Sequence, residues 1–85
     1  MTTRERSFRG ISVRLARHYL TNLGGEAVDD QTVEAEDWRA ELSSETVSIG
    51  PTVELTEVTV RFEGDDETLD DVVERFAQKA MRAGG

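Results

Sequence analysis

The spacing of apolar residues changes along the chain, and each change marks an element. Phe8 and Ile11 sit among polar neighbours, which predicts a short first strand or arm over residues 4–9. Ser12 has the chemistry of an N-cap. After it Leu15, Ala16, Tyr19, Leu20 and Leu23 recur at helical spacing. Asn22-Leu23-Gly24-Gly25 supplies the stop, because glycine accepts the left-handed position that follows a helix. The first helix is expected over about 12–23.

Sheet follows. Glu26-Ala27-Val28 opens a strand that Asp29-Asp30 interrupts and that Thr32 to Ala35 continues after a turn or bulge. Trp38, Ala40 and Leu42 alternate with Arg39 and Glu41, so 37–42 reads as a half-buried strand, and Ser43-Ser44 as its turn. Val47 and Ile49 alternate with Thr46 and Ser48 over 45–49, and Gly50-Pro51 breaks that strand. The longest strand, about 53–63, changes phase midway. Val53 and Leu55 have one parity; Val58, Val60 and Phe62 have the other. One extra residue near Thr56-Glu57 would bring both sets to the same face, so a bulge is expected there.

Gly64-Asp65-Asp66 ends the sheet, and a second helix is expected over about 67–82, stopping near Arg82 or Ala83. Leu69, Val72, Val73, Phe76, Ala77 and Ala80 form its apolar stripe. Acids crowd its first turns, and Arg75, Lys79 and Arg82 its last, as the helix dipole prefers. Thr68 to Asp71 also has capping-box spacing. The order is strand, helix, four strands, helix: an α+β sandwich, with both helices on one face of an antiparallel sheet and the other face wet. No repeat, low-complexity tract or linker divides residues 1–85, so one domain is expected.

Composition narrows the chemistry. The chain lacks cysteine, which excludes disulfides, thiolate metal sites and a cysteine nucleophile. Its one histidine, His18, lies in the first helix with no local motif to supply an orienting acid or a nucleophile, so it reads as an ordinary helix residue. No apolar run exceeds two residues, so the chain is expected to be cytoplasmic, with no membrane span.

Net charge is -8, from 18 acids and 10 bases, and Lys79 is the only lysine. Residues 1–25 carry +4, residues 26–74 carry -15 and residues 75–85 carry +3, so the basic ends are expected to lie against the acidic middle. This balance reads as a salt-adapted, halophilic protein, since molar salt shortens the Debye length to about 3 Å and screens self-repulsion. An acidic surface in high salt is a poor nucleic-acid binder, so no nucleic-acid partner is expected.

Other candidate sites weigh little. Asp65, Asp66, Glu67, Asp70 and Asp71 lack the spacing of a calcium loop and read as a solvated helix start. The serines have no elbow or triad context, and Gly24-Gly25 fits no phosphate-loop pattern. Trp38 sits on an apolar parity and reads as core. With Phe62 and Phe76 it could instead line a small-molecule pocket between sheet and helices. No metal or cofactor is expected.

The terminal Gly84-Gly85 is chemically distinct. A glycine carboxylate with no side chain can enter a narrow activating site, be adenylated by ATP, and then become a thiocarboxylate or be joined to an amine. Glycine is also a common helix stop, and the dipeptide fits both roles.

Several segments together resemble a known family. They are Phe8-Arg9-Gly10-Ile11, Tyr19-Leu20-Thr21-Asn22-Leu23-Gly24-Gly25, Ile49-Gly50-Pro51, Leu55-Thr56-Glu57-Val58-Thr59-Val60 and Arg75-Phe76-Ala77-Gln78-Lys79-Ala80-Met81-Arg82-Ala83-Gly84-Gly85. They resemble the archaeal MoaD-related domain, which follows a ubiquitin-like MoaD half in two-domain relatives. The resemblance implies a TATA-box-binding-protein-like fold of strand, helix, four strands and helix. MoaD itself is the small subunit of molybdopterin synthase, and its C-terminal diglycine carries sulfur. A β-grasp carrier would need a hairpin before its first helix, for which about ten residues leave no room. Only Gly84 and Gly85 therefore match the carrier's tail.

The expected role is a non-catalytic accessory or modifier-like protein of sulfur-carrier and molybdopterin-synthesis machinery. Its expected partner is an adenylating or sulfur-transfer enzyme, and the oligomeric state stays open. The alternative is a small-molecule binding module.

Overall fold

The computed structural model describes the backbone of residues 2–84 and the side chains of residues 2–81. In chain order the elements are β1 (Thr2–Arg9), α1 (Val13–Asn22), β2 (Glu26–Asp29), β3 (Thr32–Glu34), β4 (Trp38–Ser48), β5 (Glu54–Gly64) and α2 (Asp66–Gly84). The strands form one antiparallel sheet in the order β1-β5-β4-β3-β2. This is the expected strand, helix, four strands, helix. The four middle strands, however, divide the chain differently from the expectation.

Asp29-Asp30 does not merely interrupt a strand. Residues 26–34 fold back as a hairpin of β2 and β3, with a register shift between Ala27 and Asp29. The Asp29 carboxylate accepts the Gln31 N–H at 2.8 Å, a local bond that turns the chain. Conversely, Ser43-Ser44 makes no turn: β4 is continuous from Trp38 to Ser48. Both serines are held in the ladder, opposite Thr59 and Val58.

The bulge expected near Thr56-Glu57 is also absent. β4 and β5 pair in unbroken register from Trp38↔Gly64 to Ser48↔Glu54. Val58, Val60 and Phe62 face the helices and are fully buried, whereas Val53 and Leu55 lie on the opposite face, 52% and 37% exposed. The physical reason lies in β4. Its apolar residues change parity too, from Trp38, Ala40 and Leu42 to Val47. Val47 is directly opposite Leu55, and the Ile49 N–H donates to the Val53 carbonyl at 2.9 Å. Both strands switch their apolar face at the same level, so each keeps an apolar neighbour without an extra residue.

Both helices pack on one face of the sheet. Leu20 and Ala16 of α1 and Leu69, Val72, Val73, Phe76 and Ala80 of α2 join Val33, Trp38, Ala40, Leu42, Val58, Val60 and Phe62 in one core. Ser12 caps α1, its hydroxyl accepting the Leu15 N–H at 3.1 Å. Gly24, at φ +103°, reverses the chain after that helix. At Gly25 a Cβ would lie 2.7 Å from the Trp38 ring and would also meet Val33, so only glycine lets β2 start this close to the core.

Candidate functional site

Helix α2 carries the candidate tail. Its apolar stripe holds it to the sheet as far as Ala80, which is buried, while Met81 is 71% exposed. The helical backbone continues through Gly84, one or two residues beyond the stop expected near Arg82 or Ala83. Glycine lowers helix stability by only about 1 kcal/mol relative to alanine, and regular bonding from the preceding turn offsets that. Gly85, the residue whose carboxylate would be activated, lies outside the described residues.

The aromatic residues considered for a pocket sit differently from one another. Phe62 and Phe76 are fully buried and meet edge to face, with ring centroids 5.8 Å apart. Phe8 and Tyr19 pack on Phe76 in the same manner, at 5.1 and 6.2 Å. These four rings join β1, α1, β5 and α2. Trp38, 5% exposed, lies at the rim of a concavity of about 480 Å³. Glu34, Glu36, Asp37, Arg39, Glu63 and Asp65 also line that concavity, so acids outnumber bases five to one along its wall.

Three of the five acids at the start of α2 have structural partners. Arg4 of β1 binds the carboxylate of Asp70 and lies 3.7 Å from that of Asp66. Asp71 pairs with Arg75 one turn later at 3.1 Å. Among the described residues no group of three histidine, cysteine or acidic side chains is placed to hold a metal ion. His18 is exposed on α1, and its carbonyl accepts the Thr21 hydroxyl at 2.7 Å.

The basic N-terminal segment does lie against the acidic middle. Besides the Arg4 contacts, Arg9 binds Glu57 at 3.0 Å, and Arg17 lies 3.6 Å from the Asp30 carboxylate and donates to its carbonyl at 2.9 Å. The open face of the sheet alternates charges, with Arg39 bridging Glu34 and Glu41, and Arg61 beside Glu63.

One surface was not singled out in the sequence. Val47, Ile49, Val53 and Leu55 share a parity on the outer part of the β4–β5 hairpin, on the side away from the helices. The signal available for it was the parity change itself, occurring in both strands.

No helix among the described residues is long and apolar enough to cross a membrane. A comparison with curated proteins finds no match. The family model described as archaeal MoaD-like protein matches residues 4–85, from the first strand through the terminal diglycine. The chain belongs to the archaeal MoaD-like family.

Proposed function

We propose that this protein is a non-catalytic accessory or modifier-like component of sulfur-carrier and molybdopterin-synthesis machinery, acting through protein contacts in the cytoplasm. The observation that carries the reading is the family match across residues 4–85. In the finer form of the proposal the Gly85 carboxylate attacks the α-phosphorus of ATP in a partner enzyme, releasing pyrophosphate. Sulfide sulfur or an amine then displaces AMP.

The test uses the purified full chain and a purified adenylating enzyme of the sulfur-carrier pathway. ATP–pyrophosphate exchange should depend on this protein and disappear when Gly85 is deleted. Exchange that ignores the protein would remove the tail chemistry from the proposal.

The small-molecule reading is favoured by a single observation, the place of Trp38 among the residues that line the acidic concavity. It requires a cationic ligand. Titration with spermidine should then quench Trp38 fluorescence saturably; unchanged emission would discard that reading.

A further inference from the structure

β1 forms one edge of the sheet, and its backbone is ready to pair again. All eight of its residues pair with β5 in one unbroken register, from Thr2↔Gly64 to Arg9↔Glu57. The strand has no proline, no lysine and no bulge, three devices that keep an edge from adding a strand. The opposite edge is blunted: β2 has four residues and a register shift. The Gly10 N–H donates to the Thr56 carbonyl at 3.2 Å, which fixes the phase of the β1–β5 ladder. Arg4, Arg6 and Phe8 share that phase and turn their backbone groups to β5. Thr3, Glu5, Ser7 and Arg9 turn theirs outward, where they meet no backbone partner among the described residues.

The side chains decide what can add there. Glu5, Ser7 and Arg9 stand on the open face, where the Ser7 hydroxyl lies 3.0 Å from that of Thr59. Two rows of side chains run across the sheet and end at this edge, Glu41-Arg61-Glu5 and Glu45-Glu57-Arg9. Glu5 is exposed and has no ion pair among the described residues. Arg9 binds Glu57 through Nε, and its side chain is 55% exposed, so its two terminal nitrogens remain available. A second copy laid antiparallel about Ser7 sets Glu5 opposite Arg9 of the other copy, twice, and Ser7 opposite Ser7. The row Glu41-Arg61-Glu5 then runs on into Arg9-Glu57 of the second copy, acid and base alternating across the seam. On the helix side the same register sets Arg6 opposite Phe8. The other registers in phase are worse. Centring on Glu5 opposes Glu5 to itself and Arg4 to Arg6, centring on Arg6 opposes Arg6 to itself, and centring on Phe8 carries Glu5 past the end of the partner strand. Arg4, Arg6 and Arg9 stand here against Glu5, Glu57, Asp66 and Asp70, so the edge is near neutral in a chain of net charge -8. We propose that β1 pairs with β1 of a second copy, antiparallel about Ser7, to make one continuous sheet with the helices of both subunits on one side. This does not depend on the tail chemistry.

The experiment uses the full chain in molar potassium chloride, where long-range repulsion between copies is screened. Sedimentation equilibrium over a dilution series should show monomer and dimer in exchange. Amide hydrogen exchange read by NMR should slow at Glu5, Ser7 and Arg9 as concentration rises, with little change at Arg4, Arg6 and Phe8, which already bond to β5. E5R should weaken the dimer at least about tenfold while keeping the wild-type circular dichroism, because it replaces two opposite-charge pairs by like-charge ones. E5R/R9E, which exchanges the two charges, should regain most of that loss. A monomer at every concentration up to about 1 mM would overturn the proposal. So would a dimer indifferent to E5R, a double variant no tighter than E5R, or slowed exchange centred on the β4–β5 hairpin instead of β1.

Discussion

Phe76 touches three rings drawn from three other elements, Phe8 of β1, Tyr19 of α1 and Phe62 of β5. Removing it opens a cavity where all layers meet, so Phe76→Ala should cost about 3–5 kcal/mol. A chain of 85 residues has only about 4–13 kcal/mol of total stability, so this single change should leave the protein close to unfolding. Urea denaturation checks it, and a loss under about 1 kcal/mol would contradict the packing described. Gly25→Ala should cost about 1–3 kcal/mol through overpacking against Trp38 and Val33, read the same way. Much at this scale was legible in the sequence. The Ser12 cap follows from residue type and position, and the burial of Trp38 from strict alternation with Arg39 and Glu41. The need for glycine at 25 was not legible as packing, because Val33 and Trp38 reach it through tertiary structure.

At the scale of elements, periodicity identified both helices within a residue or two, because a stripe several turns long leaves little freedom. It misread the hairpin. The turn expected at Ser43-Ser44 separates Trp38, Ala40 and Leu42 from Val47 and Ile49, which have the other parity. Val53 and Leu55 differ from Val58, Val60 and Phe62, and this suggested a bulge. Each inference assumed that all apolar residues of a strand must face one core. The register shows two paired strands that change face together, which one strand read alone does not distinguish from a local defect. Substitution separates the two. Val58→Ala should lose about 1.5–3 kcal/mol, since Val58 is fully buried. Leu55→Ala, on the open face, should change stability by no more than about 0.5 kcal/mol. Thermal melts of the two variants check this, and similar losses would place Leu55 in the core after all.

At the scale of the molecule, charge is unevenly distributed along the chain. The pairs of Arg4 with Asp66 and Asp70, Arg9 with Glu57 and Arg17 with Asp30 bring the basic end onto the acidic middle. Their carboxylates are mostly exposed, and exposed pairs contribute only about 0–1 kcal/mol each. Seventeen acids against two bases in residues 26–74 leave repulsion that such pairs do not offset. The melting temperature should therefore rise with potassium chloride up to molar concentration, and an unchanged melt without added salt would refute salt adaptation. The overall architecture was legible because strand and helix periods do not depend on which strands pair. Function was legible only through the family resemblance, because neither charge nor periodicity names a partner, and the diglycine serves equally as a helix stop. The most direct measurement of the proposed role is intact-mass spectrometry of the native protein isolated from cells, beside a form lacking Gly85. The account predicts a fraction heavier by about 16 Da, a thiocarboxylate, or a branched peptide ending in Gly85, with neither in the deletion form. An unmodified mass in every growth condition, with an equally stable deletion form, would contradict activation of the tail and leave Gly84-Gly85 as the end of a helix.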